Sequence, residues 1–145
     1  MVDLEKIDQV IIDTMKTNIT EIKTVDTYDG SFDEKSLDSM LVTTPFILGR
    51  FLKLGTLEDQ KINTGQSTVK GLRYGFVIGA KSLQSRSAQK KGCYKIWKEI
   101  DDLIDGKRLT VDSVVLPAFE FESLEFGFNY KGLTVYFSTY TMSLI

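Results

Sequence analysis

A chain of 145 residues suits one domain, 1–145, and is long enough to bury a proper core without staples. Apolar residues at 42% and charged residues at 26% exclude a disordered chain, and a formal charge of −2 speaks against nucleic acid as the main partner. The single cysteine, Cys93, excludes an intrachain disulfide, and the absence of histidine removes the commonest general base near neutrality and the commonest metal ligand.

Along the chain, Leu4, Ile7, Ile11 and Met15 recur at three- and four-residue spacing, which predicts a helix over Val2–Asn18 with Asp3 as its cap. Residues 20–28, TEIKTVDTY, alternate with a period of two and predict a strand. Tyr28-Asp29-Gly30-Ser31 reads as a turn, and Phe32–Met40 as a short helix. Pro45 opens a second strand, Phe46–Leu52, since proline is tolerated at a strand's first residue. Gly55–Lys70 is polar without a periodic apolar face and reads as a long surface loop.

A third strand is predicted over Leu72–Gly79, its glycines marking a bulge or a close approach by a neighbouring backbone. Ser85–Ile104 forms the clearest helix, with Ala88, Gly92, Ile96, Ile100, Leu103 and Ile104 on one face and Asp105-Gly106 as the stop. Leu109–Pro117 reads as a short strand and connection. Phe119–Phe128 and Leu133–Leu144 then alternate around Asn129-Tyr130-Lys131-Gly132, a β-hairpin with a longer loop in which Gly132 supplies the positive φ. This order lacks a regular strand–helix–strand alternation. It predicts an α+β fold: a mostly antiparallel sheet of four to six strands on two main helices, with a C-terminal β-hairpin.

Chemistry-bearing motifs are sparse. A zinc site would need carboxylates beside one thiol, and no phosphate-cradling glycine loop is present. Asp101, Asp102 and Asp105 sit near a helix C-terminus and read as a solvated face, as do Glu120, Glu122 and Glu125 along a strand. Cys93, off the main stripe of its helix and near Trp97, reads as a buried structural thiol. The chain is therefore expected not to be an enzyme and to use no cofactor or metal. The N-terminus is charged from Asp3 onward, and no apolar run approaches the ~20 residues a membrane helix needs, so a soluble protein made in the cytoplasm is expected.

Three features ask for a partner. Lys81, Arg86, Lys90, Lys91, Lys95 and Lys98 surround the first half of the second long helix, where positive charge opposes the helix dipole. The last strand carries Leu133, Val135 and Phe137 on one face and Tyr136, Tyr140, Met142 and Leu144 on the other, ending at Ile145. Left unpaired, such a strand invites aggregation, so either the subunit itself or a neighbouring chain covers it. The third feature is the Gly55–Lys70 segment, as a docking element or a mobile loop.

The segment Ser85-Arg86-Ser87-Ala88-Gln89-Lys90-Lys91-Gly92-Cys93-Tyr94, running on through Ile100–Gly106, resembles a family of small proteins of Mu-like contractile-tailed phages. Asn18 at the helix end, Tyr28-Asp29-Gly30 and the Pro45-Phe46-Ile47-Leu48 strand are similar to that family too, which is related in fold to lambda-type tail terminators. Where the family strand carries more valine, this chain has Arg73 and Tyr74.

The resemblance implies a structural protein of a virion, at the tail end or neck, or of a headless phage-tail-like particle. Its subunits would form a ring, usually of six, on the last ring of the tail tube, ending polymerisation and meeting the neck or sheath. The expected partners are further copies of the chain, the tube protein, and sheath or neck proteins, with no nucleic-acid sequence recognition and no membrane. Arg86, Lys90, Lys91, Lys95, Tyr136, Tyr140, Met142, Leu144 and Ile145 are the candidate interface residues. A head–tail connector, or a small binding module with an open sheet edge, are the alternatives.

Overall fold

The computed structural model of the chain describes residues 3–28, 34–61, 68–81 and 92–143. The N-terminal helix α1 (Leu4–Asn18) starts where Asp3 accepts the Glu5 N–H at 3.0 Å, and it buries Ile7, Ile11, Ile12 and Met15. Helix α2 (Glu34–Thr43) follows a short strand, β1 (Thr24–Thr27), and precedes the long strand β2 (Phe46–Lys61). Strand β3 (Thr68–Ala80) returns antiparallel to β2, and α3 (Cys93–Ile104) then crosses to the other half of the molecule. A miniature pair, β4 (Thr110–Val111) and β5 (Val114–Val115), leads into the hairpin of β6 (Phe119–Tyr130) and β7 (Leu133–Ser143).

The main sheet has the order β1-β2-β3-β7-β6. It is α+β and mixed: every pairing is antiparallel except β1 beside β2, which is parallel. The β6–β7 turn is only Lys131-Gly132, with φ of 48° and 85°, the sign pattern of a type I′ loop.

Each face of the sheet has its own apolar cover. On one face α1 and α3 pack Ile7, Ile11, Met15, Ile96, Ile100 and Ile104 against Ile47, Tyr74, Phe76, Tyr140 and Met142. On the other, Met40 of α2 and its neighbours Leu37 and Leu41 cover Phe46, Val77, Leu133 and Val135. Each such buried side chain contributes about 1.5–3 kcal/mol from leaving water. The last strand therefore finds cover for both faces inside the subunit.

Several expectations change. Residues 55–61 and 68–70 are not a loop: β2 and β3 continue as a paired ribbon from Gly55↔Gly71 to Leu57↔Val69 and Lys61↔Thr68. Their polar sequence, without a periodic apolar face, left the strand pair unmarked. The close approaches at the β3 glycines come from side chains, with the Phe46 ring over Gly79 and Leu52 over Gly75. Cys93 lies in line with Ile96, Ile100 and Ile104, buried at the start of α3, not off its stripe. The first strand is shorter than expected, only Thr24–Thr27. The turn expected at 28–31, past Tyr28, and the helical stretch expected at 85–91 lie outside the described residues.

Candidate functional site

The last strand of the sheet, β6, places aromatic and acidic side chains in alternation at an edge. Its sequence, FEFESLEFGFNY, carries Glu120, Glu122 and Glu125 and no lysine or arginine. Phe121 pairs with Tyr140, and Phe126 with Tyr136, so both rings lie on the sheet face that α1 and α3 cover. Glu120 pairs with Thr141 and Glu125 with Phe137, which puts these carboxylates on the opposite face.

Helix α3 stops short of covering the edge, and an aromatic band fills the flank. Phe126 stacks edge-on against Tyr136 at 5.7 Å, and Tyr136 against Tyr94 at 5.7 Å, with the two hydroxyls 3.2 Å apart. Trp97 meets Phe121 at 5.5 Å, and Phe121 meets Tyr140 at 5.8 Å. Phe126 remains 54% exposed, Phe121 41% and Tyr94 40%, whereas an aromatic ring of an isolated subunit gains by burial. Among the described residues the buried Trp97 Nε1 has no hydrogen-bond partner, an uncommon state for an indole.

The start of β6 is closed by the chain itself. Gly106 N–H donates to Phe119 O at 2.7 Å, Phe119 N–H donates to Lys107 O at 3.2 Å, and Phe121 N–H donates to Asp105 Oδ1 at 2.8 Å. Beyond Phe121, no described strand lies alongside β6. Unpaired strand edges of this kind template association with another chain.

The acidic residues at the end of α3 thus have structural duties. Asp105 caps the β6 edge, and Asp101 Oδ1 accepts from the Tyr140 hydroxyl at 2.9 Å. Only Asp102 is a plain exposed carboxylate. Among the described residues no group of three histidine, cysteine, aspartate or glutamate side chains could hold a metal ion, and no helix is long and apolar enough to cross a membrane.

Of the candidate interface residues, Tyr136 lies in the aromatic band and Lys95 is exposed on α3. Tyr140 and Met142 correct the expectation: both are fully buried under α1 and α3 and offer nothing to a neighbour. Arg86, Lys90, Lys91, Leu144 and Ile145 lie outside the described residues. Sequence reasoning missed Tyr94, Phe121 and Phe126. The signal was there, a strand alternating aromatics with carboxylates, but it also fits a strand in mid-sheet with one wet face.

No protein-family model matches this chain, and no curated relative does. Among solved structures, a chain of the virion of a native gene transfer agent particle has a similar fold. It aligns over 96% of this chain and 94% of its own length with a TM-score of 0.59 at 5% sequence identity.

Proposed function

We propose that this chain is a structural, non-enzymatic subunit of a phage-like particle, a ring-forming protein that seats on the end of a tail tube. The observation that carries the reading is the unpaired β6 edge with its exposed aromatic band, on a fold shared end to end with a virion chain. An edge strand flanked by Phe121, Phe126 and Tyr94 is suited to burial by a neighbour, and it has no chemistry to offer a substrate.

The physical role follows from symmetry. A tube grows because each ring presents the next with a copy of the same heterologous surface; a terminator binds that surface and does not regenerate it. Within its own ring each subunit must bury one patch on either side. The β6 flank, with Tyr136 in it and Lys95 on the neighbouring helix, supplies one of the two. The outer face of the ring then meets the neck or, in a contractile tail, the sheath.

Electron microscopy of particles made with and without the gene tests this. Overlong, irregular tubes in its absence, and a ring of density at the tube end in its presence, support termination. Normal tails detached from heads would move the protein to the head–tail connector. Intact infectious particles without it would overturn the structural reading.

A further inference from the structure

Among the described residues the sheet has a second open edge. Strand β1 pairs with β2 only from Phe46 to Gly49, where the Tyr28 N–H donates to Gly49 O at 3.0 Å. From Arg50 to Lys61, no described strand lies on the outer side of β2. This second edge differs from the first in charge. Between Phe46 and Gly55, β2 carries Arg50 and Lys53 and no acid, and its Leu52 and Leu54 are 50% and 45% exposed.

Resting on the ring reading, we infer that the open edge of β6 in one copy pairs with the open edge of β2 in a second copy, joining the two sheets head to tail. Charge selects this joint over its rivals. A two-fold β6–β6 pairing would set glutamates against glutamates, and a β2–β2 pairing would set Arg50 and Lys53 against themselves; like charges directly across a strand pair destabilise it. Only the mixed joint brings the basic edge to the acidic one, and a heterologous joint of that kind makes a ring where its rotation closes.

The two faces also agree. Lys53 pairs with Arg73, and Arg50 with Gly75, which places both cations on the α2 face, the face that holds Glu120 and Glu125. Leu54 pairs with buried Leu72 and so lies on the α1 and α3 face, with Phe121 and Phe126. A sheet continued across the joint without flipping therefore sets cation beside carboxylate on one side and leucine beside aromatic on the other. Strand direction agrees as well, since the alternation along β2, β3, β7 and β6 makes the new neighbour antiparallel to β6.

Register sets the offset. Lys53 shares a level with Arg73, Thr141 and Glu120, whereas Glu125 shares one with Phe137. Bringing Lys53 beside Glu125 requires a slide of four β7 residues, roughly 13 Å at the rise of a strand. The slide puts Thr27 and Asp26 of the incoming copy level with Asn129 and Tyr130, so β1 keeps the outer side of β2 there and the joint runs along the part of β6 before Asn129. A stagger repeated at every joint is the shear that tilted strands need in order to close a ring.

The test is a charge exchange on the full chain, read by sedimentation and negative-stain microscopy, with circular dichroism melts to confirm folding. Lys53→Glu alone and Glu125→Lys alone should each lower ring formation roughly fivefold or more, since each faces like with like. An equal mixture of the two variants should restore it, because every joint in an alternating ring then pairs opposite charges. A chain carrying Lys53→Cys and Glu125→Cys should yield an oxidised ladder ending at ring size; the two sites lie at opposite edges of one subunit. Rings formed unchanged by both charge variants, or formed without the cross-link, overturn this joint while leaving the ring intact. A wild-type chain that never forms rings, alone or on tubes, overturns the ring and the joint together.

Discussion

The Tyr140 hydroxyl donates to Asp101 Oδ1 at 2.9 Å and ties the last strand to α3 across the main core. The Tyr140 ring is fully buried, edge-on to Phe76 and Phe121 at 5.8 Å each, so its one polar atom has to be satisfied where it stands. Tyr140→Phe keeps the rings and removes the bond. It should lower stability by about 1.5–3 kcal/mol in urea unfolding, the range for a lost hydrogen bond to a carboxylate. Asp101→Asn preserves an acceptor and should cost less.

Alkaline pH should weaken the fold in two stages. Burial raises the Cys93 thiol from its ordinary 9.0 to about 11, and it raises the phenols of Tyr74 and Tyr140 from 10.0 to well above any accessible value, helped by Asp8 and Asp101 respectively. The unfolded chain ionises these groups near their ordinary values, so above those pH values it releases protons that the folded chain retains. Stability from these groups is complete below pH 9. It falls from pH 9 to about 11 through Cys93, and from pH 10 upward through the two phenols. Melting temperature followed against pH should show this decline, and Cys93→Ala should delay its onset by about one unit toward the tyrosine range.

Gly79 faces the ring of Phe46, its partner across β2 and β3, so closely that a Cβ there would overlap the ring atoms. Phe46 is itself fully buried under α2 and has no room to move. Gly79→Ala should therefore cost about 1–3 kcal/mol as overpacking, not gain the small benefit alanine brings to an open strand site. A thermal melt should show a fall of roughly 3–10 °C for a chain of this size. Gly79→Ala combined with Phe46→Leu should recover part of it.

How much of this was legible in the sequence depended on what enforced each pattern. The stripe Ile7, Ile11, Met15 showed α1, and Gly132 showed the last turn, because core burial and positive φ leave distinct residue marks. The β2–β3 ribbon left none, since from Gly55 onward its sequence is polar and without apolar alternation. The two-faced last strand was visible as such. That both faces find cover within the subunit, from α1 and α3 on one side and α2 on the other, depends on sheet order. Sheet order also makes β6 an edge and turns Phe121 and Phe126 from ordinary strand residues into an exposed band. A single strand's residues carry its period, but not its neighbours.

Phe126 separates folding from assembly. More than half of its surface is exposed, and its contact with Tyr136 lies at the rim of the core, so Phe126→Ser removes little that the isolated subunit buries. Chemical unfolding should place its cost below about 1 kcal/mol, as for an exposed site away from special features. At an interface an aromatic anchor of this kind is worth about 2 kcal/mol or more, which is roughly thirtyfold in association. Sedimentation of the variant should therefore show a folded subunit with wild-type melting that no longer assembles. A variant that lost both together would make Phe126 a core residue, and one that lost neither would remove the aromatic band from the interface.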